Sequence, residues 1–574
     1  MKRIAIVGAG QSGLQLGLGL LAAGYEVTMF SDRSADEIYH GRVMSSQCLF
    51  QSAIEIERTM GLNYWEQECP RVETMSFSVP DLVGGKAIDW CARLDGYAQS
   101  VDQRVKIPGW MSEFQKRGGE LHIKAVGVDE LESCARSHDL VIVASGRKSM
   151  DGLFQRDPDR SRYSSPQRML ALTYVRNALP RNADAAISFN LVPNVGEVFT
   201  FPALTTSGAC DILVFEGVPG GPMDCWSHIT TPAEHLARSR EILEKFVPWE
   251  AERYKQAELT DAAGTLTGGY APVVRNPIGT LPSGRKVLGM ADAVVLNDPI
   301  TGQGANNAAR CAEIYLDSIV ERGEEPADAD WMQRTFDRYW AGYAQWVVCW
   351  TNLLLNPPNH VFKIMDCAGK IAAVAQAFVN GFDDPRTFFP WFTDPAEASK
   401  FLDKEAHLVS ERFDRRDLRR ALGQFATGVT VVTTRASDGR RVGLTVNSFA
   451  SVSLNPPLVL WSLSREAPSS SDFFAASHFA INILECRQHH LSRQFSSPVP
   501  DKFAGVDFVE GTAGVPLLNH TLARFVCRKV RQYDGGDHVI FIGEVEHYEY
   551  EDGEPLVFST GQYRITTRHP DIAD

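Results

Sequence analysis

Arg3-Ile-Ala-Ile-Val7 runs without a spacer into Gly8-Ala9-Gly10-Gln11-Ser12-Gly13, and Leu14, Leu18 and Leu21 then recur at helical spacing up to Gly24. Few folds accommodate that order. A buried strand that ends in three close glycines and restarts as a helix is the opening of a βαβ unit. Gly8 permits the tight turn, Gly10 lets the main chain approach a pyrophosphate, and Gly13 lets the helix pack on the sheet. The helix start, with Ser12 in its first turn, turns unpaired N–H groups toward the anion. Val27 to Phe30 reads as the second strand, and the run from Asp139 to Gly146 as a later strand of the same sheet. This predicts a Rossmann-like α/β core. The acid that should end the second strand and grip a ribose is absent at residue 31, which is Ser; Asp32 is the candidate for that role.

With 574 residues the chain exceeds one ordinary core, so two or three domains are expected. A formal charge of −14 argues against nucleic acid as a partner. The one basic run, Arg412, Arg415, Arg416, Arg419 and Arg420, reads as a solvated helix face. The 11 cysteines include no CxxC pair, so neither a zinc site nor a disulfide framework is expected, and no metal is assigned. No apolar run reaches membrane-spanning length and no signal peptide opens the chain, which makes the cytoplasm the expected location.

Short β-like runs with many Pro and Gly over 166–235 suggest a second layer over a ligand. Residues 286–316 return to strand, loop and helix. From Trp331 to about Val379 the pattern is helical, and Trp340, Tyr343, Trp346, Val347 and Trp350 read as a core stripe. Pro and charge are richer from Asp383 to Arg412, and a junction is placed near residue 405, giving domains 1–405 and 406–574. Beyond it, strand-like runs separated by turns (427–434, 449–454, 457–462, 478–483, 538–545) predict an all-β barrel.

Within the first domain, Gly289-Met-Ala-Asp292 followed by Asp298-Pro-Ile-Thr-Gly302-Gln-Gly-Ala-Asn306 resembles the second FAD motif of flavoprotein monooxygenases of the hydroxylase fold. With Gly268-Gly-Tyr-Ala-Pro-Val-Val-Arg275, the likeness is closest to the styrene and indole monooxygenases. The resemblance implies that Asp292 bonds the ribityl or pyrophosphate region. It also implies that Pro299, Gly302, Gln303, Gly304, Ala305 and Asn306 surround the flavin's N1–C2=O edge, and that Arg42 contacts the flavin. Val43, Met44, Ser45, Ser46 and Pro299 become substrate-pocket candidates; Ser45-Ser46 stands where the family often has Asn-Thr, and Ala291 where it usually has Gly. Single-component hydroxylases carry an Asp-Gly motif for NAD(P)H after the mid-chain strand. Here that strand runs into Ala144-Ser-Gly-Arg147, and Asp151-Gly152 lacks the family context. This half is therefore expected not to reduce its own flavin.

Residues 413–566 resemble the short-chain NADH:flavin oxidoreductases that serve two-component monooxygenases. The matching strings are Phe425–Val432, Gly443–Pro457, Asp501-Lys-Phe503 and Gly536-Asp537-His538. The likeness implies a split barrel in which Thr445, Asn447 and Ser448 meet the isoalloxazine edge and Ser462 and Ser469 the ribityl-phosphate arm. Gly536, Asp537 and His538 would order the nicotinamide of NADH. Together the resemblances imply a fused styrene/indole monooxygenase: NADH reduces FAD on the barrel, and FADH2 and O2 form a C4a-hydroperoxide in the first domain that epoxidises a small aromatic alkene or indole. Arg42, Ser45, Ser46, Pro299 and His538 are the residues expected nearest the chemistry. A homodimer through the reductase domain is expected, and a separate monooxygenase component sharing FADH2 is a further conceivable partner. Hydroxylation or sulfoxidation of another aromatic, an uncoupled NADH oxidase making H2O2, and a flavin redox sensor remain open at this point.

Overall fold

A computed structural model of the protein describes residues 2–81, 84–145, 152–181, 186–411 and 415–567. Gly146, Arg147, Asp151 and Arg412, named above, lie outside the described residues. The chain divides into two compact units, Met1–Val409 and Ser410–Asp574.

In the first unit, Arg3–Val7 pairs in parallel with Glu26–Ser31 on one side and Leu140–Val143 on the other. The sheet so formed has six strands as described, with Lys286–Gly289 and Ile278–Thr280 extending one edge and Glu120–Ile123 the other. Ile4, Ala5 and Ile6 are fully buried, and the helix Gln11–Ala22 packs over them. Gly8 takes φ +117°, which L side chains rarely adopt, and a Cβ on Gly13 would lie 2.0 Å from the Gly8 carbonyl oxygen. Those two residues are glycine for steric reasons alone.

The second layer is a mixed sheet of eight strands as described, built on Met169–Arg176, Gly208–Gly217, Gly196–Thr205, Ile187–Val192, Val72–Pro80 and Lys86–Ala98. It is covered on both faces. Ile212 and Val214 join Phe189, Phe201, Trp350 and Phe378 in one core. Leu213 and Phe215 join Trp226, Ile242 and Leu243 in another. Alternate residues of one strand are thus apolar for two different reasons. Of the aromatic stripe, Tyr343, Val347 and Trp350 are buried, whereas Trp340 and Trp346 are half-buried where a single π-turn, Trp340–Ala344, reorients the helix.

Where the sequence suggested a Pro- and charge-rich junction, residues Pro395–Glu411 form a 17-residue helix that crosses position 405. Pro395 opens the helix rather than breaking it, because its missing N–H falls in the first turn. Asp394 caps it, its Oδ1 accepting from the Ala396 and Glu397 amides at 2.8 and 3.0 Å.

The second unit is a split-barrel-like fold. Its main sheet has seven strands as described, in the order Arg441–Val446, Thr430–Arg435, His478–Ile483, Ala523–Gly535, His538–Tyr550, Pro457–Ser464 and Ala450–Leu454. All ladders in it are antiparallel. Trp461 stacks on Phe541 at 4.8 Å in its core. Among the described residues no helix is long and apolar enough to cross a membrane, and no group of three or more His, Cys, Asp or Glu side chains is arranged to hold a metal.

Candidate active site

Two helices of the first unit begin at the wall of one cavity of 640 Å3. The helix Gln11–Ala22 starts after Gly10 and the helix Gly304–Arg322 after Gln303; neither has a side-chain cap. Gly10, Gln11, Ser12, Gly302, Gly304 and Ala305 line the cavity, and a Cβ on Gly10 or Gly304 would meet nothing within 4 Å. Helix N-termini carry unpaired N–H groups and a partial positive charge. Two of them opening on one cleft, with room left at the glycines, fit a dianionic dinucleotide whose far end also gathers negative charge.

Ser45, Ser46, Met44, Asp292 and Pro299 line the same cavity. Ser45 is held from two sides: its carbonyl accepts from the Tyr174 hydroxyl at 2.9 Å and its Oγ from Gln103 Nε2 at 3.1 Å. The buried Arg104 bridges Asp102 and Asp261 at 2.9 and 3.0 Å, with its guanidinium 6.0 Å from the centre of the Tyr174 ring. None of Tyr174, Gln103 and Arg104 stood out in the sequence, because none belongs to a motif. Ser46, Pro299, Gly302, Val214 and Glu216 also line a second, apolar chamber walled by Met75, Ile187, Phe189, Phe199, Phe201 and Phe382. The large cavity therefore opens onto a dry one.

Other candidates serve differently. Asn306 is buried and faces the loop rather than the cavity: its Nδ2 donates to the Cys48 and Gly302 carbonyls at 2.9 and 3.2 Å, and its Oδ1 accepts from the Phe50 amide at 2.9 Å. Gln303 donates to the Phe382 carbonyl at 2.8 Å and accepts from Tyr343 Oη at 3.0 Å. Both brace the turn that presents Gly302 and Gly304. Gly8 and Gly13 shape the first turn without lining the cavity, and Asp32 is exposed just after the second strand. Arg42 is not among the lining residues. Its Nε donates to the Thr265 carbonyl at 2.7 Å, and it lines a neighbouring cavity of 390 Å3 with Thr230, Thr231 and His235. The helix after it, Gln51–Thr59, has nine residues.

Two carboxyl groups that line the large cavity, Asp292 and Glu216, and a third next to its lining residue Pro299, Asp298, have raised pKa values. Asp292 is exposed to the open cleft, yet the protein crowded around it takes away part of its hydration, and that desolvation, opposed by Arg275, lifts it to about 6. Burial lifts Asp298 to about 7; the Ile300 amide and Arg168 oppose this and Glu197 adds to it. Glu216 is pushed well above the carboxylate range by burial, then by Asp298 and Glu197. If a ribityl hydroxyl donates to Asp292, it stabilises the anion and lowers that pKa on binding. Oxidised FAD should therefore bind more tightly as pH rises through about 6, because the free protein must first give up a proton there. Calorimetric titration should show affinity rising by up to about fourfold from pH 5.5 to 7.5, and the slope vanishing in Asp292→Asn.

In the second unit, Gly536 (φ +77°) and Asp537 make the two-residue turn between Ala523–Gly535 and His538–Tyr550. His538 opens its strand opposite Ser464, and its Nδ1 lies 2.8 Å from Asp537 Oδ1. Arg465, unnoticed in the sequence, clamps this turn. Its amide donates to the Asp537 carbonyl at 3.0 Å, its Nε to the Gly536 carbonyl at 3.3 Å, and it pairs with Asp534. Ser448 Oγ accepts from the Ser462 amide at 2.9 Å and donates to the Ser462 carbonyl at 3.2 Å, so these two candidates are joined. The Thr445 hydroxyl is committed to the Ser492 carbonyl at 2.7 Å. Asn447 is exposed, and Ser469 precedes the short helix Ser470–Ala475 without capping it.

Comparison with known proteins separates the two units. Residues 422–567 match the "Flavin reductase like domain" family. The NADH-dependent FMN reductase SmoA of Agrobacterium fabrum is 47% identical over 148 residues, 26% of this chain and 84% of that protein. The chain belongs to the flavin reductase family. An NADH-dependent FAD reductase of Streptomyces globisporus is 41% identical over 172 residues, 29% of this chain and 93% of its own length. Residues 146–253 match the family described as "Styrene monooxygenase A putative substrate binding domain". The styrene monooxygenase StyA of Pseudomonas fluorescens is 27% identical over 429 residues, 71% of this chain and 99% of StyA. This flavin reductase is thus fused to a styrene monooxygenase-like, flavin-monooxygenase region.

Proposed function

We propose that the protein is a self-sufficient flavin-dependent monooxygenase. The C-terminal domain reduces FAD with NADH, and the N-terminal unit uses the reduced flavin and O2 to epoxidise a styrene-type alkene or indole. The balance is alkene, O2, NADH and a proton giving epoxide, water and NAD+. One observation carries the reading: a cleft served by two uncapped helix N-termini opens directly onto an aromatic-walled chamber. Reduced flavin, when bound, supplies the activated oxygen. The chain's own part is positional. The amides at Gly304 and Ala305 favour negative charge at the cleft end of their helix. Phe189, Phe199 and Phe201 keep water from the reacting bond. Pro299 and Ser46, shared by cleft and chamber, hold an alkene at the boundary. No acid or base is required of them.

The test is turnover of styrene or indole by the purified chain with NADH, FAD and O2 and no added reductase. Epoxide, or indigo from indole, is expected in step with NADH loss. NADH loss yielding only H2O2 would defeat the epoxidase reading, and a hydroxylated or sulfoxidised product would redirect it.

We also propose a dimer through the reductase domain, in the cytoplasm. Leu454, Phe425 and Tyr550, all in that domain, are 94%, 78% and 74% exposed, large apolar side chains of the kind a second copy would cover. Light scattering of the full chain at micromolar concentration should give twice 63.5 kDa; a 63.5 kDa species would refute the dimer.

A further inference from the structure

The chamber wall is apolar at nearly every position the sheet supplies, with one exception. Along Gly208–Gly217, Ile212 and Val214 face the same side as Glu216, and the ladder sets these opposite Phe201, Phe199 and Glu197 of the neighbouring strand. Glu197 is satisfied by Arg168, which donates to its two oxygens at 2.6 and 2.8 Å. Glu216 is not: it is 1% exposed, its Oε2 is buried, and that oxygen has no hydrogen-bond partner. Thr301, another polar side chain of the same wall, is engaged with Thr351 at 2.8 Å.

A buried carboxyl left incomplete is costly beside an apolar side chain of similar size, so its presence calls for a partner. Burial, with Asp298 and Glu197 nearby, raises the Glu216 pKa and so favours its neutral form. A neutral carboxylic acid offers one donor and one acceptor. Because Glu216 lines both the chamber and the cleft, a group that meets it lies near the bond presented to the cleft.

We propose that Glu216 is a specificity-determining residue whose carboxyl accepts a hydrogen bond from a ring N–H adjacent to the reacting double bond. The site then takes N–H heteroaromatics of the indole class in preference to hydrocarbon alkenes of the same shape. This rests on the monooxygenase reading above. A site built to bond a polar group discriminates strongly against an analogue lacking it, since the acid is left unpaired.

Indole and indene are matched probes, differing by N–H against CH2. Calorimetric binding of each to the FAD-loaded full chain, and competitive turnover of the pair, should favour indole at least tenfold. Glu216→Leu should bring that ratio within twofold, chiefly through weaker indole binding. Glu216→Gln, which keeps a donor and an acceptor, should hold it within threefold of the parent. Equal binding of the two by the parent protein, or an unchanged ratio in Glu216→Leu, overturns the proposal. Selective indole binding without any oxygenated product supports the role of Glu216 while defeating the monooxygenase reading.

Discussion

Glycine 13 replaced by alanine should leave NADH oxidation within twofold of the parent protein while product formation falls below about 1%, the electrons appearing as H2O2. The added methyl would sit 2.0 Å from the Gly8 carbonyl oxygen and 3.2 Å from its carbon. Both are main-chain atoms, so no flexible side chain can yield. Relief requires opening the turn or lifting the helix Gln11–Ala22 from the sheet, and overpacking of this kind costs about 1–3 kcal/mol or more. Either movement withdraws the uncapped helix start from the cleft. The reductase fold, a separate compact unit, contains neither residue. Gly10→Ala provides the contrast. Its methyl would meet nothing within 4 Å, so it should leave the thermal midpoint unchanged and weaken only FAD binding, where the cofactor would occupy that space. A Gly13→Ala protein that forms product at the parental rate would show that the turn tolerates the crowding. Loss of NADH oxidation as well would show that the units do not fold independently.

That prediction draws on a part of the chain whose sequence was nearly a structural statement. Strand, glycines and amphipathic helix each impose local sterics: Gly8 takes a positive φ, Gly13 packs against the Gly8 carbonyl, and Gly10 leaves open space. The short strands after residue 426 were legible for the same reason, since period-two alternation and turn residues are local signals. What escaped is non-local. Gln303 and Asn306 lie in a motif that resembles a flavin-binding loop, but a motif does not say which atoms turn inward; their amides brace Phe382 and Cys48. Arg42 shares that ambiguity, and only the fold shows that it lines the cavity next door. Glu216 was hidden by its neighbours. Because the strand Gly208–Gly217 is buried on both faces, its residues do not alternate apolar with polar, and an inward acid leaves no break in period. The helix Pro395–Glu411 was hidden in a stretch whose Pro and charge suggested a junction, where Pro395, after the cap at Asp394, starts a helix.

The mirror experiment concerns His538. Replacing it by alanine should lower kcat/KM for NADH about 100-fold, yet leave product formation intact when chemically reduced FAD is supplied under O2. Hydride transfer requires no proton from the protein; it requires the nicotinamide to lie over the flavin at bonding distance, and misplacement by an ångström can cost about 100-fold. His538 suits that task by its anchoring. It opens a strand, its backbone is in ladder register with Ser464, and Asp537 fixes its ring through Nδ1 at 2.8 Å. The turn beneath is clamped by Arg465. Removing the ring leaves the turn, so the fold should survive, which an unchanged thermal midpoint would verify. Arg465→Ala should act in the same direction but more weakly, because it loosens the turn that carries the ring rather than deleting the ring. If His538→Ala oxidises NADH within twofold of the parent protein, the residue does not order the nicotinamide. If it also fails with supplied reduced flavin, its effect is on the whole molecule. Together with Gly13→Ala, the pair forms a crossed test: one variant makes reduced flavin and cannot use it, the other uses reduced flavin and cannot make it. Mixing the two proteins in one vessel with NADH, FAD, O2 and substrate should then restore product if reduced flavin passes between molecules, and should not if it is handed over only within one.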